Sequence, residues 1–272
     1  MAAVLSAAAG VFFARHGGRG YPAADLNLAY APDYQALRTS LLEEFKDLKP
    51  GRFGESISGF KRDTNPSRKV IALTFDACGG RHSGYNAELI DYLRRERIRA
   101  TLFVTGIWIE QNKKTFIELS KDPLFEIENH GLMHRACSIN GRTMYGVRPT
   151  RSIGDVIDEM ELNSRRIAEL TGRRPVFFRS ATAYTDEASV KIAERLGMEL
   201  VGYEILSGDA MRSSVGRMAR NILKGAGYGS VVIMHFNHPE WHELDALKLA
   251  VPALKARGYI FDKLKNLPKK QV

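Results

Sequence analysis

Short apolar runs alternate with segments of helical periodicity from about residue 69 to the end of the chain. The apolar runs are rich in branched residues and bounded by turn-forming residues, which is typical of buried strands. They lie at Val70–Phe75, Thr101–Thr105, Phe125–Glu128, Pro175–Arg179, Leu200–Ile205, Ser230–His235 and Tyr259–Leu264. This alternation predicts a parallel α/β fold, and about seven such units favour a (β/α) barrel over a small open sheet.

Apolar residues at helical spacing mark the segments between these strands. The longest segment runs from Ile153 to Leu170, where Ser152 is a candidate N-cap and Gly172 a C-terminal stop. Three shorter helices are predicted around Leu89–Leu93, Val190–Leu196 and Leu244–Leu254. Before the alternating region, residues 30–49 predict one amphipathic helix and residues 50–67 a polar connector. We therefore expect one catalytic domain, residues 69–272, preceded by an extension over residues 21–68.

The first 20 residues form a separate segment. Residues 2–14 are small or apolar and precede a glycine-rich break, but the run is too short to span a bilayer as a helix. It resembles part of a secretory signal whose start has been clipped, although a disordered extension fits equally well. We expect an exported protein without a membrane-spanning segment.

Composition indicates an ordinary globular protein. Of its 272 residues, 44% are hydrophobic and 26% charged, which suffices for a sizeable core. The formal net charge of +9 favours acidic surroundings such as an anionic polymer. The basic residues are scattered in short groups and no nucleic-acid-binding motif accompanies them, so we expect no nucleic-acid partner.

The stretch Val70–Gly80, VIALTFDACGG, ends a predicted strand in Asp76 and a glycine-containing turn. Open α/β sheets and (β/α) barrels carry their chemistry at the carboxyl ends of their strands. Other predicted strands also end in chargeable residues, namely His130 with His134, Arg179, Asp209 and His235. Two histidines four residues apart can share one face of a helical turn and reach one metal ion. The convergence predicts metal-assisted hydrolysis with a carboxylate base and an imidazole acid.

The ordered motifs TFDxxGG, ATLFVTG, HGLMH, FFR, SGD and VIMH resemble those of the polysaccharide deacetylases, carbohydrate esterase family 4, also called the NodB-homology domain. The resemblance covers about Lys69 to Leu264. It implies a distorted (β/α) barrel that removes N- or O-acetyl groups from polysaccharides such as peptidoglycan, chitin or xylan. It also implies a divalent metal, usually zinc.

The resemblance also implies roles for individual residues. Asp76 would be the base that deprotonates the attacking water, and His235 the acid that protonates the leaving amine. Arg179 would position Asp76, and Asp209 would orient His235. His130 and His134 would be metal ligands, and a backbone amide after Arg179 the second oxyanion donor.

Several positions depart from the family pattern. The Asp that normally follows the base and ligates the metal is Ala77, so Asp76 itself, water or another side chain must complete the ligand set. The segment after Arg179 is also altered, which leaves Thr182 and Tyr184 as candidate substrate contacts. Ala210 replaces a tryptophan that usually lies beside the acetyl methyl. The substitutes considered for this wall are Trp108, Trp241 and Phe236.

Cys78 and Cys137 follow Asp76 and His134 closely and are the chain's two cysteines. If both motifs meet at one site, these residues are neighbours, and in an exported protein this suggests a disulfide. The alternatives are a cysteine thiolate that completes the metal site in place of the missing aspartate, or two inert buried thiols.

The sequence thus favours an exported, metal-dependent deacetylase of an N-acetylated polysaccharide. Two alternatives stay open. The altered segment after Arg179 is compatible with a hydrolase of small-molecule amides or imides, and the missing aspartate with a degenerate glycan-binding module.

Overall fold

The structure, a computed structural model, describes residues 23–55, 57, 69–80 and 82–267. The possible signal at residues 1–20 and most of the connector predicted at residues 50–67 lie outside the described residues. The strands are β1 (Phe53–Gly54), β2 (Val70–Ala77), β3 (Ala100–Val104), β4 (Phe125–Asn129), β5 (Phe177–Phe178), β6 (Thr185–Asp186), β7 (Glu199–Leu200), β8 (Ile205–Leu206), β9 (Ser230–His235) and β10 (Ile260–Phe261).

The α-helices lie mainly between these strands. They are α1 (Ala23–Tyr30), α2 (Pro32–Glu44), α3 (Ala87–Arg95), α4 (Gly106–Gln111), α5 (Lys113–Lys121), α6 (Ile153–Thr171), α7 (Glu187–Arg195), α8 (Val215–Gly225) and α9 (Glu243–Ala256). In the described part of the chain, none of these helices has the length and apolar character needed to cross a membrane.

The main sheet is parallel and curls into an open barrel. Its strand order is β7-β5-β4-β3-β2-β9-β8, and β10 pairs with the start of β2. Every residue of β2 is buried, because one face packs on helices and the other faces the barrel interior. The predicted distorted (β/α) barrel is confirmed.

Helix α6 has the bounds that its capping residues predict. The Ser152 side chain accepts a hydrogen bond from the Asp155 amide, and Gly172 ends the helix in the left-handed region at φ 71°. Helix α2 of the predicted extension packs on α6, where Arg38 Nε lies 2.6 Å from Asp158 Oδ1.

The structure differs from the expected elements in two places. The predicted strand Leu200–Ile205 is instead two short strands, β7 and β8, which form the two edges of the open barrel. The chain leaves the sheet between them, where the Gly202 carbonyl accepts a hydrogen bond from the Arg179 side chain. In addition, helices α1, α4, α5 and α8 and the short antiparallel strands β1 and β6 were not predicted from the sequence.

Candidate active site

Strand register brings the predicted base and acid side by side. Asp76 of β2 pairs directly with His235 of β9. Asp209 follows β8, Arg179 follows β5 and His130 follows β4. The parallel direction of the sheet places all of these carboxyl ends at one rim, as expected for this fold.

A buried ion pair fixes Asp76. Arg179 is fully buried, and its Nη1 donates a hydrogen bond to Asp76 Oδ1 at 2.7 Å. Its Nη2 donates to the Gly202 carbonyl at 3.1 Å, and its guanidinium stacks on the Phe103 ring. The second oxygen of Asp76, Oδ2, lies 3.7 Å from His130 Nε2. Asp76 therefore presents one oriented carboxylate oxygen beside the turn that carries His130 and His134, here called the histidine turn.

A second buried pair fixes His235. Asp209 Oδ2 lies 3.1 Å from His235 Nδ1 and also accepts a hydrogen bond from the His235 amide at 2.6 Å. The other oxygen, Oδ1, accepts from the Ser207 hydroxyl and the Ala210 amide, each at 2.8 Å. This network holds Asp209 as a carboxylate against the imidazole.

The pair shifts the protonation of both partners. Burial alone lowers the pKa of His235, but Asp209, followed by Cys78, outweighs it and raises that pKa well above 6.5. Burial alone raises the pKa of Asp209, but His235 and the hydrogen bonds to its carboxylate lower it overall. The imidazolium form of His235 is therefore favoured, and this is the form that a general acid requires.

The two other histidines lie on an irregular turn after β4, and the expected helical turn is wrong. His134 has a left-handed backbone at φ 53° and Gly131 lies at φ 90°, so the segment follows no helical path. The rings of His130 and His134 nevertheless lie 5.0 Å apart. His130 Nδ1 is 2.8 Å from the Arg179 carbonyl, which can only accept, so Nδ1 carries the proton and Nε2 is free to bind a ligand.

The Cys78 thiol completes a candidate metal site with these histidines. One donor atom from each of Cys78, His130 and His134 lies within 4.8 Å of the others. Cys78 Sγ is 3.9 Å from His130 Nε2. Two such donors on one tetrahedral zinc ion lie roughly 3.6 Å apart, which follows from ordinary zinc bond lengths.

The chemistry of this donor set fits a divalent metal. Burial alone raises the pKa of Cys78, but the neighbouring histidines, His134 first among them, outweigh it and lower that pKa well below 9.0. The sulfur is therefore disposed to be a thiolate, which is the ligating form. A thiolate with two imidazoles suits zinc or cobalt, and three protein ligands leave a fourth position open, as in catalytic zinc sites.

Comparison with known proteins identifies the family. The family model described as polysaccharide deacetylase matches residues 63–201, just over half of the chain. The chain belongs to the polysaccharide deacetylase family. It is accordingly a hydrolase of the deacetylase kind.

Three relatives illustrate the range of this family. A Bacillus cereus peptidoglycan-N-acetylglucosamine deacetylase is 25% identical over 198 residues, which are 72% of this chain and 86% of that protein. The structure of a family 4 acetyl xylan esterase from Clostridium thermocellum with a cobalt ion has a TM-score of 0.60 at 23% identity, covering 72% of this chain and 89% of that one. A family 4 pseudoenzyme from Bacillus anthracis has a TM-score of 0.61 at 22% identity, with coverages of 82% and 70%.

The expected disulfide of this deacetylase is not formed. Cys78 and Cys137 are both free. The Cys137 thiol is fully buried and points to the Arg135 carbonyl, whereas Cys78 faces the histidines. Asp76, the other candidate for the missing ligand, stands outside the Cys78–His130–His134 group and is held by Arg179.

The prediction that Trp108 contacts the substrate is wrong. Its side chain is fully buried, packs on Phe236 with ring centroids 5.1 Å apart and donates to the Gly84 carbonyl. Trp241 is only partly buried, and its ring lies 5.3 Å from that of His235, so it is the better candidate for the apolar wall. Thr182 and Tyr184 are partly exposed, and Thr182 has a left-handed backbone at φ 65°.

Two buried glutamates of this deacetylase were missed from the sequence. Glu243, the first residue of α9, is fully buried, and neither carboxylate oxygen has a hydrogen-bond partner among the described residues. Burial, followed by the charge of Asp209, raises its pKa to about 8, although His235 acts in the opposite direction. Glu243 is therefore mostly an uncharged acid at neutral pH behind the Asp209–His235 pair.

Glu159 of α6 holds the histidine turn in place. Its Oε1 accepts hydrogen bonds from the amides of Met133 at 3.0 Å and Arg135 at 2.9 Å, on either side of His134. A Cβ on Gly131 would lie 2.4 Å from the same oxygen, so this position requires glycine. A charged residue within a long helix ordinarily suggests a solvated surface, and only tertiary packing shows its role.

Replacing Glu159 by alanine is expected to loosen this turn. Two partly buried amides would lose their acceptor, which costs up to about 1–3 kcal/mol each, and metal affinity should fall by about 10- to 100-fold, as for loss of an outer-shell partner. The free energy of unfolding and a metal titration measure the two effects. The matched control is Glu169→Ala on the exposed face of the same helix, which should change neither; equal effects of both changes would contradict the assignment.

Proposed function

We propose that this chain is a metal-dependent deacetylase that removes acetyl groups, chiefly N-acetyl groups, from a cell-wall or extracellular polysaccharide such as peptidoglycan. The observation that carries the proposal is the meeting of three units at one rim of the barrel. These are the Arg179–Asp76 pair, the Asp209–His235 pair and the Cys78–His130–His134 group. The peptidoglycan deacetylase of Bacillus cereus adds support for the substrate class.

The protein residues divide the proton transfers between them. Asp76, oriented by Arg179, takes a proton from the water whose oxygen bonds to the acetyl carbon. His235 then donates a proton to the amide nitrogen as the carbon–nitrogen bond breaks, so the products are acetate and a free amino sugar. Asp209 keeps the imidazole oriented and charged for this step.

The metal group supplies the electrophilic part of the reaction. A divalent ion, zinc in our proposal, would be held by Cys78, His130 and His134 and would polarise the acetyl carbonyl oxygen as a Lewis acid. A backbone amide after Arg179 is the proposed second donor to that oxygen. Trp241 beside His235 is the proposed wall for the acetyl methyl group.

Hydrolysis of three classes of substrate, measured as acetate release for the polymers and as loss of substrate for the small molecules, tests the proposed function. N-acetylated peptidoglycan, N-acetylated chitooligosaccharides and small-molecule amides or imides are each incubated with zinc-loaded protein. Acetate from at least one polymer supports the proposal. Hydrolysis of the small molecules alone would indicate an amidohydrolase. No hydrolysis would indicate a binding module, a possibility that the Bacillus anthracis pseudoenzyme illustrates within the family.

We also propose that the protein acts outside the cytoplasm, because its apolar N-terminal run resembles a signal and the proposed substrate lies there. Fractionation of producing cells checks this. Recovery of the protein only from the cytoplasm would contradict it.

The pH dependence of turnover is expected to report on His235. Because Asp209 raises the pKa of His235, the acid stays protonated to higher pH than a free imidazole and is lost as pH rises through the raised pKa. The change Asp209→Asn removes the charge, so the alkaline limb of kcat/KM against pH should move to lower pH. An unmoved alkaline limb would show that His235 is not the titrating acid.

A further inference from the structure

The segment between the histidine turn and α6 combines aromatic and basic side chains. Residues 139–151, here called the arginine loop, have the sequence INGRTMYGVRPTR, with three arginines and no acidic residue. The ends of the loop are tied together, because the Ser138 amide donates to Thr150 Oγ1 at 2.7 Å and the Ala136 amide to the Arg148 carbonyl at 3.2 Å. The loop is therefore anchored directly beside the candidate metal ligands.

The tip of the arginine loop begins an aromatic patch, defined here as Tyr145, Tyr184 and Phe53. Tyr145 is 75% exposed, and its ring lies 5.9 Å from that of Tyr184 and perpendicular to it. Tyr184 in turn lies 5.7 Å from Phe53. Ser180, which follows Arg179, donates a hydrogen bond to the Tyr184 carbonyl. The aromatic patch is therefore joined to the strand end that carries Arg179.

The charges of the loop are largely available to a ligand. Arg148 and Arg151 are exposed, and within the described residues neither forms an ion pair with a carboxylate. The third arginine, Arg142, is directed toward the Gly51 carbonyl at 2.9 Å. Exposed arginines on the same loop as an exposed aromatic ring suit a ligand that presents both apolar C–H faces and carboxylates.

We propose that the arginine loop and the aromatic patch form a subsite for a neighbouring sugar of a carboxylate-bearing glycan chain. The C–H face of a pyranose ring stacks on Tyr145, and Arg148 pairs with a carboxylate on the chain. The inference rests on the proposed function and narrows its substrate class from N-acetylated polysaccharides in general to anionic ones.

The test compares two glycans of equal length. One is a set of peptidoglycan glycan strands freed of stem peptides, which carry lactyl carboxylates, and the other a neutral chitooligosaccharide. The variants are Arg148→Gln and Tyr145→Ala. Their matched controls are Arg220→Gln on the exposed face of α8 and Tyr30→Ala, a tyrosine 60% exposed at the end of α1.

Arg148→Gln is expected to raise KM by about 2- to 5-fold for the anionic strands alone, the range of one exposed ion pair. Tyr145→Ala is expected to raise KM by about 2- to 10-fold for both glycans, as for one aromatic contact. Both variants should keep the wild-type kcat, and the controls should behave as wild type. An Arg148→Gln effect that is absent or equal on both glycans overturns the proposal, as does an unchanged KM in Tyr145→Ala.

Failure of the proposed deacetylase function would give a different result in this test from failure of the subsite proposal. In that case the wild type releases no acetate from either glycan. Dissociation constants of the same variants for the same two glycans, measured by calorimetry, then test the subsite without turnover. Equal affinity of wild type and both variants for the anionic strands would overturn it.

Discussion

Replacing Cys78 by serine is expected to strip the protein of its metal and abolish acetate release. A neutral hydroxyl is a far poorer ligand for zinc than a thiolate, and two histidines alone leave an incomplete set. Metal affinity should fall by more than the roughly 100-fold that loss of an outer-shell partner costs. Competition with a chromophoric chelator measures the affinity, and elemental analysis measures the metal content.

The second cysteine supplies the matched control. Cys137 is buried and stands outside the Cys78–His130–His134 group, so Cys137→Ser should retain the metal. Cobalt-loaded wild type and Cys137→Ser should both show thiolate-to-cobalt charge-transfer absorption, which Cys78→Ser should lack. Full metal content and unchanged absorption in Cys78→Ser would show that another group completes the ligand set.

Replacing Asp76 by asparagine is expected to show that this residue acts as the general base and not as a metal ligand. Asparagine keeps the shape and can still accept the hydrogen bond from Arg179, but it cannot take a proton from water. Turnover should fall by about 100- to 10,000-fold, the usual contribution of a general base, while the metal stays bound. Parallel measurements of kcat and of metal stoichiometry check the loss of turnover and the retention of the metal.

His130→Ala is the comparison for this variant, because it should lose metal as well as turnover. If Asp76→Asn lost its metal to the same extent, Asp76 would be a ligand and the assignment to Cys78 would need revision. Wild-type turnover in Asp76→Asn would place the base elsewhere.

The catalytic rim was predictable because it follows from local patterns. Apolar runs that end in Asp76, His130 or His235 identify strand ends, and the parallel fold places strand ends together without knowledge of any contact. The caps of α6 were equally local, so Ser152 and Gly172 gave its bounds.

The remaining features depend on packing between distant segments. Glu159 lies more than twenty residues from the turn that it holds, and nothing in its helical spacing sets it apart from a solvated side chain. Trp108 was a candidate for the apolar wall by residue type alone, but the short helix α4 places it in the core. Whether the two cysteines form a disulfide, or one of them lies beside the histidines, likewise depends on the direction of each side chain. Motif spacing cannot show this direction.

The central claim is that acetate release depends on the metal held by Cys78, His130 and His134. The most direct measurement follows acetate released from N-acetylated peptidoglycan by metal-free protein, prepared with a chelator, as zinc is added back. We expect no release at first, and then activity that rises with zinc and levels off near one ion per chain. Activity that survives complete removal of metal, or that stays absent when one zinc ion is bound per chain, would contradict the claim.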